Sequence, residues 1–334
     1  MMGWGMKRRD FLSTFLGGAA VAVPLAGHAQ QPERIRRVGV VIAYPETDSR
    51  AQAFVAAFAQ ALGRFGWAEG KNIRIDYRFA AGDPTLFKTY AAELVGLKPD
   101  AILASNAPAV AAMRQQTQTI PIVFVLQPDP VGQGVVQSLA RPGGNLTGFS
   151  SYDAPIIGKW LQLLKEVAPG VKRVAVIFNP NTALAPSFDR EIEAARSFGV
   201  MVTLAPVHTE AAMEATIATQ AREPGGGLIC LPDSFNVTHR DAIIAAAARH
   251  SLPLIGAGDL YPRAGALMSY WYDSVEVYAQ AASYIDRILR GASPAELPVQ
   301  EPTKYSLIIN LKTAKALGLT VPQSLIDRAD EVIE

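Results

Sequence analysis

The chain has 334 residues, 49% of them hydrophobic, with 31 Lys and Arg against 30 Asp and Glu, and a single cysteine. That near-neutral balance without basic runs excludes nucleic acid or an anionic membrane as the main partner. One cysteine excludes a disulfide framework, and a chain this long holds a large core in two domains or lobes.

The N-terminus reads "KRRDFLSTFLGGAAVAVPLAGHAQ": a basic cluster, an apolar run from Phe11 to Leu25 and a small-residue exit at Ala29. This is the order of a cleavable export signal over residues 1–29, and the run is too short and too rich in Gly and Ala to span a membrane. Arg8-Arg9 before Asp10-Phe11-Leu12 matches the twin-arginine variant, whose alternative is an ordinary secretory leader with two arginines. No cysteine stands near Ala29 to carry a lipid anchor. The mature chain is therefore expected to be periplasmic, beginning near Gln30. Losing Lys7, Arg8, Arg9 and Asp10 leaves 28 basic and 29 acidic residues.

Apolar, β-rich runs then alternate with helix-period runs. Strands are predicted over 36–44, 72–80, 101–105 and 122–126. A second series follows over 173–179, 202–207, 227–232 and 253–258. Phe54, Phe58, Ala61, Leu62 and Phe65 share one helical face, as do Leu86, Tyr90, Leu94 and Leu97. Asp83 before Pro84 reads as an N-cap with proline at the first helical position. Near-continuous apolar strands in βα alternation predict parallel sheets covered on both faces, hence a two-lobed α/β protein. Val131 to Ala140 reads as helical, and "RPGGNLTGFS" (141–150) as the joint between the two series, with Gly143 and Gly144 at the hinge. Cys230, in "GLICLP", is expected to be a buried thiol.

Open parallel sheets bind ligands outside the carboxyl ends of their strands. Those ends carry Tyr44, Glu46 and Asp48; Ser105 and Asn106; Gln127 and Asp129; Asn179 and Asn181; Asp233 and Phe235; and Tyr261. Ser105-Asn106-Ala107 is the first choice for gripping an anionic head group at a helix N-terminus, and it serves equally as a plain N-cap. Asp233 pairs with a ligand ammonium or caps a helix. Tyr44, Tyr152, Phe235 and Tyr261 stack on a flat ligand or pack the lobes. Asp129 reads also as the cap of a helix after Pro130, and Tyr270-Trp271-Tyr272 mainly as packing.

Three long stretches, "GWAEGKNIRIDYRFAAGDP", "QTIPIVFVLQPDPVGQGVVQSLARPGGNLTGFS" and "LPVQEPTKYSLIINLKTAKALGLTVPQSLIDRADEVIE", resemble the ABC-transporter substrate-binding family that includes tryptophan- and tyrosine-binding proteins. The resemblance covers essentially the whole mature chain. It implies a type I periplasmic binding protein fold: two Rossmann-like lobes joined by three hinge crossings, closing on a small molecule delivered to a membrane permease. The further crossings are then expected near 258–266 and 299–305, and the helix from Ser274 to Arg290 returns to the first lobe. The lobes become 34–148 with about 264–300, and 149–263 with about 301–334. Aromatic amino acid binders of this family tend to carry a glutamate shortly after the Asn-Pro pair that ends the first strand of the second lobe. Here "NPNTALAPS" has no acid.

Other functions are weighed on residues. After the leader, His208, His239 and His250 show no metal-ligand spacing, so no metal or cofactor is expected. No G-x-S-x-G elbow is present, and Glu46 with Asp48 forms an acid/base pair only if the lobes bring them onto a substrate; their other reading is as solvated loop acids. The alternatives to a transport role are a ligand-sensing subunit of a membrane sensor and a two-lobed enzyme. The mature protein is expected to be monomeric.

Overall fold

A computed structural model describes residues 34–151, 155–182 and 199–334. The segment expected to be an export leader, including Arg8 and Arg9, and the candidate Tyr152 lie outside them.

The first βα series runs β1 (Arg36–Ile42), α1 (Ser49–Arg64), β2 (Ile73–Phe79), α2 (Pro84–Gly96), β3 (Ala101–Ser105), α3 (Ala107–Gln116), β4 (Ile122–Gln127) and β5 (Leu146–Ser150). Its five strands are all parallel, in the order β2-β1-β3-β4-β5. β3 is buried at every position, as a strand covered on both faces requires. Asp83 caps α2 by accepting from the Thr85 amide at 2.7 Å. α1 buries Phe54, Phe58, Ala61 and Leu62 as expected, but Phe65 stands just past its end and is exposed. α2 buries Phe87, Ala91 and Leu94. Its inward stripe thus lies one residue away from the predicted Leu86 and Tyr90, which are half-buried, as is Leu97.

The second series continues with α4 (Pro155–Val167), β6 (Arg173–Phe178), β7 (Met201–Pro206), α5 (Glu210–Gln220), β8 (Gly226–Cys230), α6 (Ser234–Thr238), α7 (Arg240–Arg249), β9 (Leu254–Gly256), α8 (Leu260–Arg263) and β10 (Met268–Tyr272). Then come α9 (Ser274–Leu289), β11 (Tyr305–Asn310), α10 (Leu311–Ala316), α11 (Gln323–Ile326) and β12 (Glu331–Ile333). The second sheet has the order β12-β11-β10-β9-β8-β6-β7, parallel except for the β10–β11 pair. Cys230 ends β8 as a fully buried free thiol, which burial pushes well above its ordinary pKa.

α9 follows the second series in sequence yet packs against the first sheet. Tyr278 stacks on Phe54 with ring centroids 4.1 Å apart, and the Trp67 indole donates to Asp286 at 2.8 Å. The chain thus passes between the sheets three times, and two passages lie elsewhere than the sequence suggested. "NLTGFS" is no connecting strand: β5 is the edge of the first sheet, in parallel register with β4, and the chain leaves only after Ser150. Gly143 (φ 75°) turns the chain into β5, and Gly144 needs no special backbone geometry. The second passage falls at Asp273 rather than within 258–266, because β10 inserts between β9 and β11 and Asp273 immediately caps α9. Residues 264–272 therefore go with the second sheet. The third passage runs by Gln300, which exchanges backbone hydrogen bonds with Gly148 and Ser150 before the chain enters β11. Val131 to Ala140 forms turns rather than a helix. Asp129 accepts from the Gly132 amide, and Val135 and Val136 both donate to Pro130.

Candidate functional site

In each sheet the strand order reverses at one point, between β1 and β3 in the first and between β6 and β8 in the second. Parallel strands open a crevice at their carboxyl ends there. Tyr44, Ser105 and Asn106 stand at the first crevice, Asn179 and Asp233 at the second.

The two crevices meet. A Cβ at Gly82, in the β2–α2 connection, would lie 3.1 Å from Ser234 Oγ and 3.6 Å from Thr182 Cγ2. Arg50, in the first turn of α1, pairs with Asp259 after β9 at 2.6 Å, and Arg240 of α7 approaches Asp48 at 3.6 Å. The loops of both sheets are therefore closed on one another.

Asp233 is 3% exposed. Its carboxylate accepts from the Asn236 amide at 2.8 Å, the Asn179 amide at 3.1 Å and the Thr182 hydroxyl at 3.1 Å. Burial nevertheless pushes its carboxyl up to about 7, against the pull of those hydrogen bonds. The capping reading holds: Asp233 caps α6, and its carboxyl remains a titratable group. Tyr44, from the other sheet, feels it. Burial first, opposed by Arg50 and reinforced by Asp233 and Asp48, pushes the Tyr44 phenol up to about 12.

Several buried polar atoms here have no protein partner among the described residues: Gln127 Oε1 at the end of β4, Ser151 Oγ after β5, Ser234 Oγ after β8 and Tyr261 OH after β9. Each belongs to a residue no more than 3% exposed. Leaving such an atom unpaired costs on the order of 1–3 kcal/mol. Four of them lie at or just beyond the carboxyl ends of strands from both sheets.

The remaining candidates divide. Ser105 is fully buried and accepts from the Tyr278 hydroxyl at 2.5 Å. Asn106 caps α3, accepting from the Ala109 amide at 3.1 Å, in a left-handed backbone (φ 76°) unusual outside glycine. Gln127 donates to Pro128 O and Gln133 Oε1. Tyr261 packs its ring on Gly256, where a Cβ would lie 2.3 Å from it. Asn179 orders the following turn by accepting from the Asn181 amide. Phe235 is half-buried and stacks on His239 at 4.2 Å, so its ring is used in packing. Glu46, Asp129 and Asn181 are exposed. Glu46 meets α1 only through its backbone carbonyl, which accepts from Gln52, so no acid/base pair with Asp48 is assembled. Tyr270 stacks on Tyr305 at 5.3 Å, as packing. Arg50, Thr182 and Ser234 were not singled out from sequence. Thr182 and Ser234 lie within strand-end loops that were, and Arg50 stands just past one; the partners of Arg50 and Thr182 are far along the chain. Among the described residues no cluster of three His, Cys, Asp or Glu suits a metal, and no helix is long and apolar enough to cross a membrane.

Comparison with known proteins agrees with this geometry. The chain is 26% identical over 331 residues to the tyrosine-binding protein of Clostridioides difficile, covering 94% of each. A conserved domain protein from Vibrio cholerae superposes with a TM-score of 0.83 at 30% identity, over 90% of this chain and all of that one. A Streptococcus pneumoniae domain crystallised with L-Trp gives 0.80 at 21% identity, over 89% and 99%, and shares the fold. The family model described as ABC transporter substrate binding protein matches residues 38–333. With a match that runs from β1 to β12, this chain belongs to the ABC transporter substrate-binding protein family.

Proposed function

We propose that the protein is exported, captures an aromatic amino acid or a related aromatic metabolite between two lobes that move about the three crossings, and delivers it as a monomer to the membrane permease of an ABC importer. The observation that carries this reading is the buried Asp233 carboxyl, beside the unpartnered Ser234 hydroxyl and facing Gly82 of the first sheet. A zwitterion answers an acid on one lobe and a helix N-terminus on the other. Its ammonium pairs with the Asp233 carboxylate, and its carboxylate takes the positive end of the α3 dipole beside Ser105 and Asn106. Tyr44 and Tyr261 supply aromatic walls. The names of the relatives, a tyrosine-binding protein and a domain bound to L-Trp, point the same way.

The test is thermal shift of the mature chain with tyrosine, tryptophan and phenylalanine, beside tyramine, which lacks the carboxylate, and indole-3-propionate, which lacks the ammonium. Binding to the folded form alone raises Tm by mass action. At least one aromatic amino acid should raise Tm by several degrees and both truncated analogues much less. No response to any amino acid would sink the ligand assignment. Export is tested separately: Arg8→Lys with Arg9→Lys should block a twin-arginine route while an ordinary secretory leader still works, so normal periplasmic yield rejects that route.

A further inference from the structure

The joint between β3 and α3 is held in a costly shape. Asn106 has φ 76° and ψ 169°, a backbone conformation that glycine adopts freely and other residues keep only where their surroundings over-determine it. Its amide donates to the Val125 carbonyl of β4 at 2.9 Å. Within the first turn of α3, the Ala109 amide goes to the Asn106 side chain and the Val110 amide to the Asn106 carbonyl, each at 3.1 Å, while Pro108 has no N–H. That leaves Ala107. It is 4% exposed, and its amide donates to no acceptor among the described residues.

On the other side of the joint stands Ser105, whose hydroxyl has one partner among the described residues, the Tyr278 hydroxyl at 2.5 Å. Both residues are fully buried. A phenol is a stronger donor than an alkyl hydroxyl, so Tyr278 donates and Ser105 accepts. Burial, opposed by the bond to Ser105, pushes the Tyr278 phenol well above its ordinary pKa, and the donated proton stays in place. The ring is fixed by its stack on Phe54 at 4.1 Å. One turn earlier, α9 is tied to the second sheet, where the Trp271 indole of β10 donates to Ser274 at 3.1 Å. The helix that carries the phenol is thus anchored to both sheets.

We propose that Tyr278 is a positioning residue for ligand selectivity: its hydroxyl pins Ser105, holds the strained Asn106 joint in shape, and so aims the Ala107 amide at a ligand carboxylate. This rests on the reading that places the carboxylate at the start of α3. Tyr278 itself touches no ligand in this arrangement and acts through Ser105.

Tyr278→Phe keeps the ring on Phe54 and removes only the hydroxyl. In calorimetric titration of the mature chain it should weaken L-tyrosine about tenfold and leave tyramine, which lacks the carboxylate, within about twofold of wild type. Ser105→Ala should give the same selective loss and the double variant no further loss, since all three remove one contact. Acetate puts the question without an aromatic ligand. In amide NMR spectra it should shift Ala107 of the wild type, with about tenfold more acetate needed in Tyr278→Phe. Equal weakening of tyrosine and tyramine means a general packing role and overturns the proposal, as do unchanged tyrosine affinity or additive losses in the double variant. A wild type that answers acetate at Ala107 but binds no aromatic amino acid defeats the ligand reading alone, and the acetate comparison then decides this one. An Ala107 amide indifferent to acetate in the wild type overturns it. Ser105→Ala carries the same comparisons should Tyr278→Phe fail to fold.

Discussion

Asp233 couples the cleft to pH in two separable ways. In the unfolded chain an aspartate titrates near 4, and burial raises it in the folded protein to about 7. As pH rises from about 4 the unfolded form loses this proton first. The stabilising contribution is therefore complete below about pH 4 and lost as pH climbs through about 7. Asp233→Asn, a neutral near-isostere, should flatten that part of the Tm-against-pH curve of the ligand-free protein. Thermal denaturation between pH 4 and 8 checks it, and a curve parallel to the wild type would contradict the burial argument. Ligand affinity runs the opposite way. An ammonium needs the carboxylate, so below about pH 7 affinity should fall by up to about tenfold per unit, with proton release on binding. Calorimetric titration in buffers of different ionisation enthalpy reads that release directly.

At the level of elements, β5 depends on one glycine. Gly148 has φ 153°, and a Cβ there would stand 2.0 Å from the Phe124 carbonyl oxygen of β4, where the β4–β5 register shifts. Gly148→Ala should cost roughly 2–5 kcal/mol by urea denaturation, from strain and overpacking together. Gly144→Ala, with open space around it, should cost under about 1 kcal/mol. The same contrast shows what sequence discloses. Runs such as "AILAS" and "RVAVIF" announce buried parallel strands, and with the strands come their carboxyl ends, so Ser105, Asn179 and Asp233 were found by position. The hinge was misplaced because a glycine pair signals a turn, not what the next strand pairs with. The helix expected over 131–140 failed on local chemistry: Gly132, Gly134 and the Asp129 side chain favour turns over a continued ladder. Arg50 was missed for a different reason. Its partner Asp259 is 209 residues away, and no local pattern encodes that pairing.

For the whole molecule, closure is held in part by charge. Arg50–Asp259 and Arg240–Asp48 link the loops of the two sheets at partly exposed sites, each worth about 0.2–1 kcal/mol. Asp259→Asn with Arg240→Gln should therefore weaken cleft-ligand affinity by roughly 2- to 30-fold, mainly by faster dissociation. The difference from the wild type should shrink in high salt. Stopped-flow fluorescence measures both, and an unchanged dissociation rate would remove these pairs from the closing equilibrium. The crossings also set the order in which the chain can become stable. Phe54 of α1 is covered by Tyr278, and Thr147 of β5 donates to Leu297 at 2.6 Å, so groups from the first half of the chain wait for partners in roughly its last fifth. During synthesis the apolar face of α1 has no native cover until nearly all the sequence has been made, a period in which it offers a surface to chaperones. The sheet assembled from the earliest residues is thus the last to be sealed, and the two sheets mature as one cooperative unit rather than in succession.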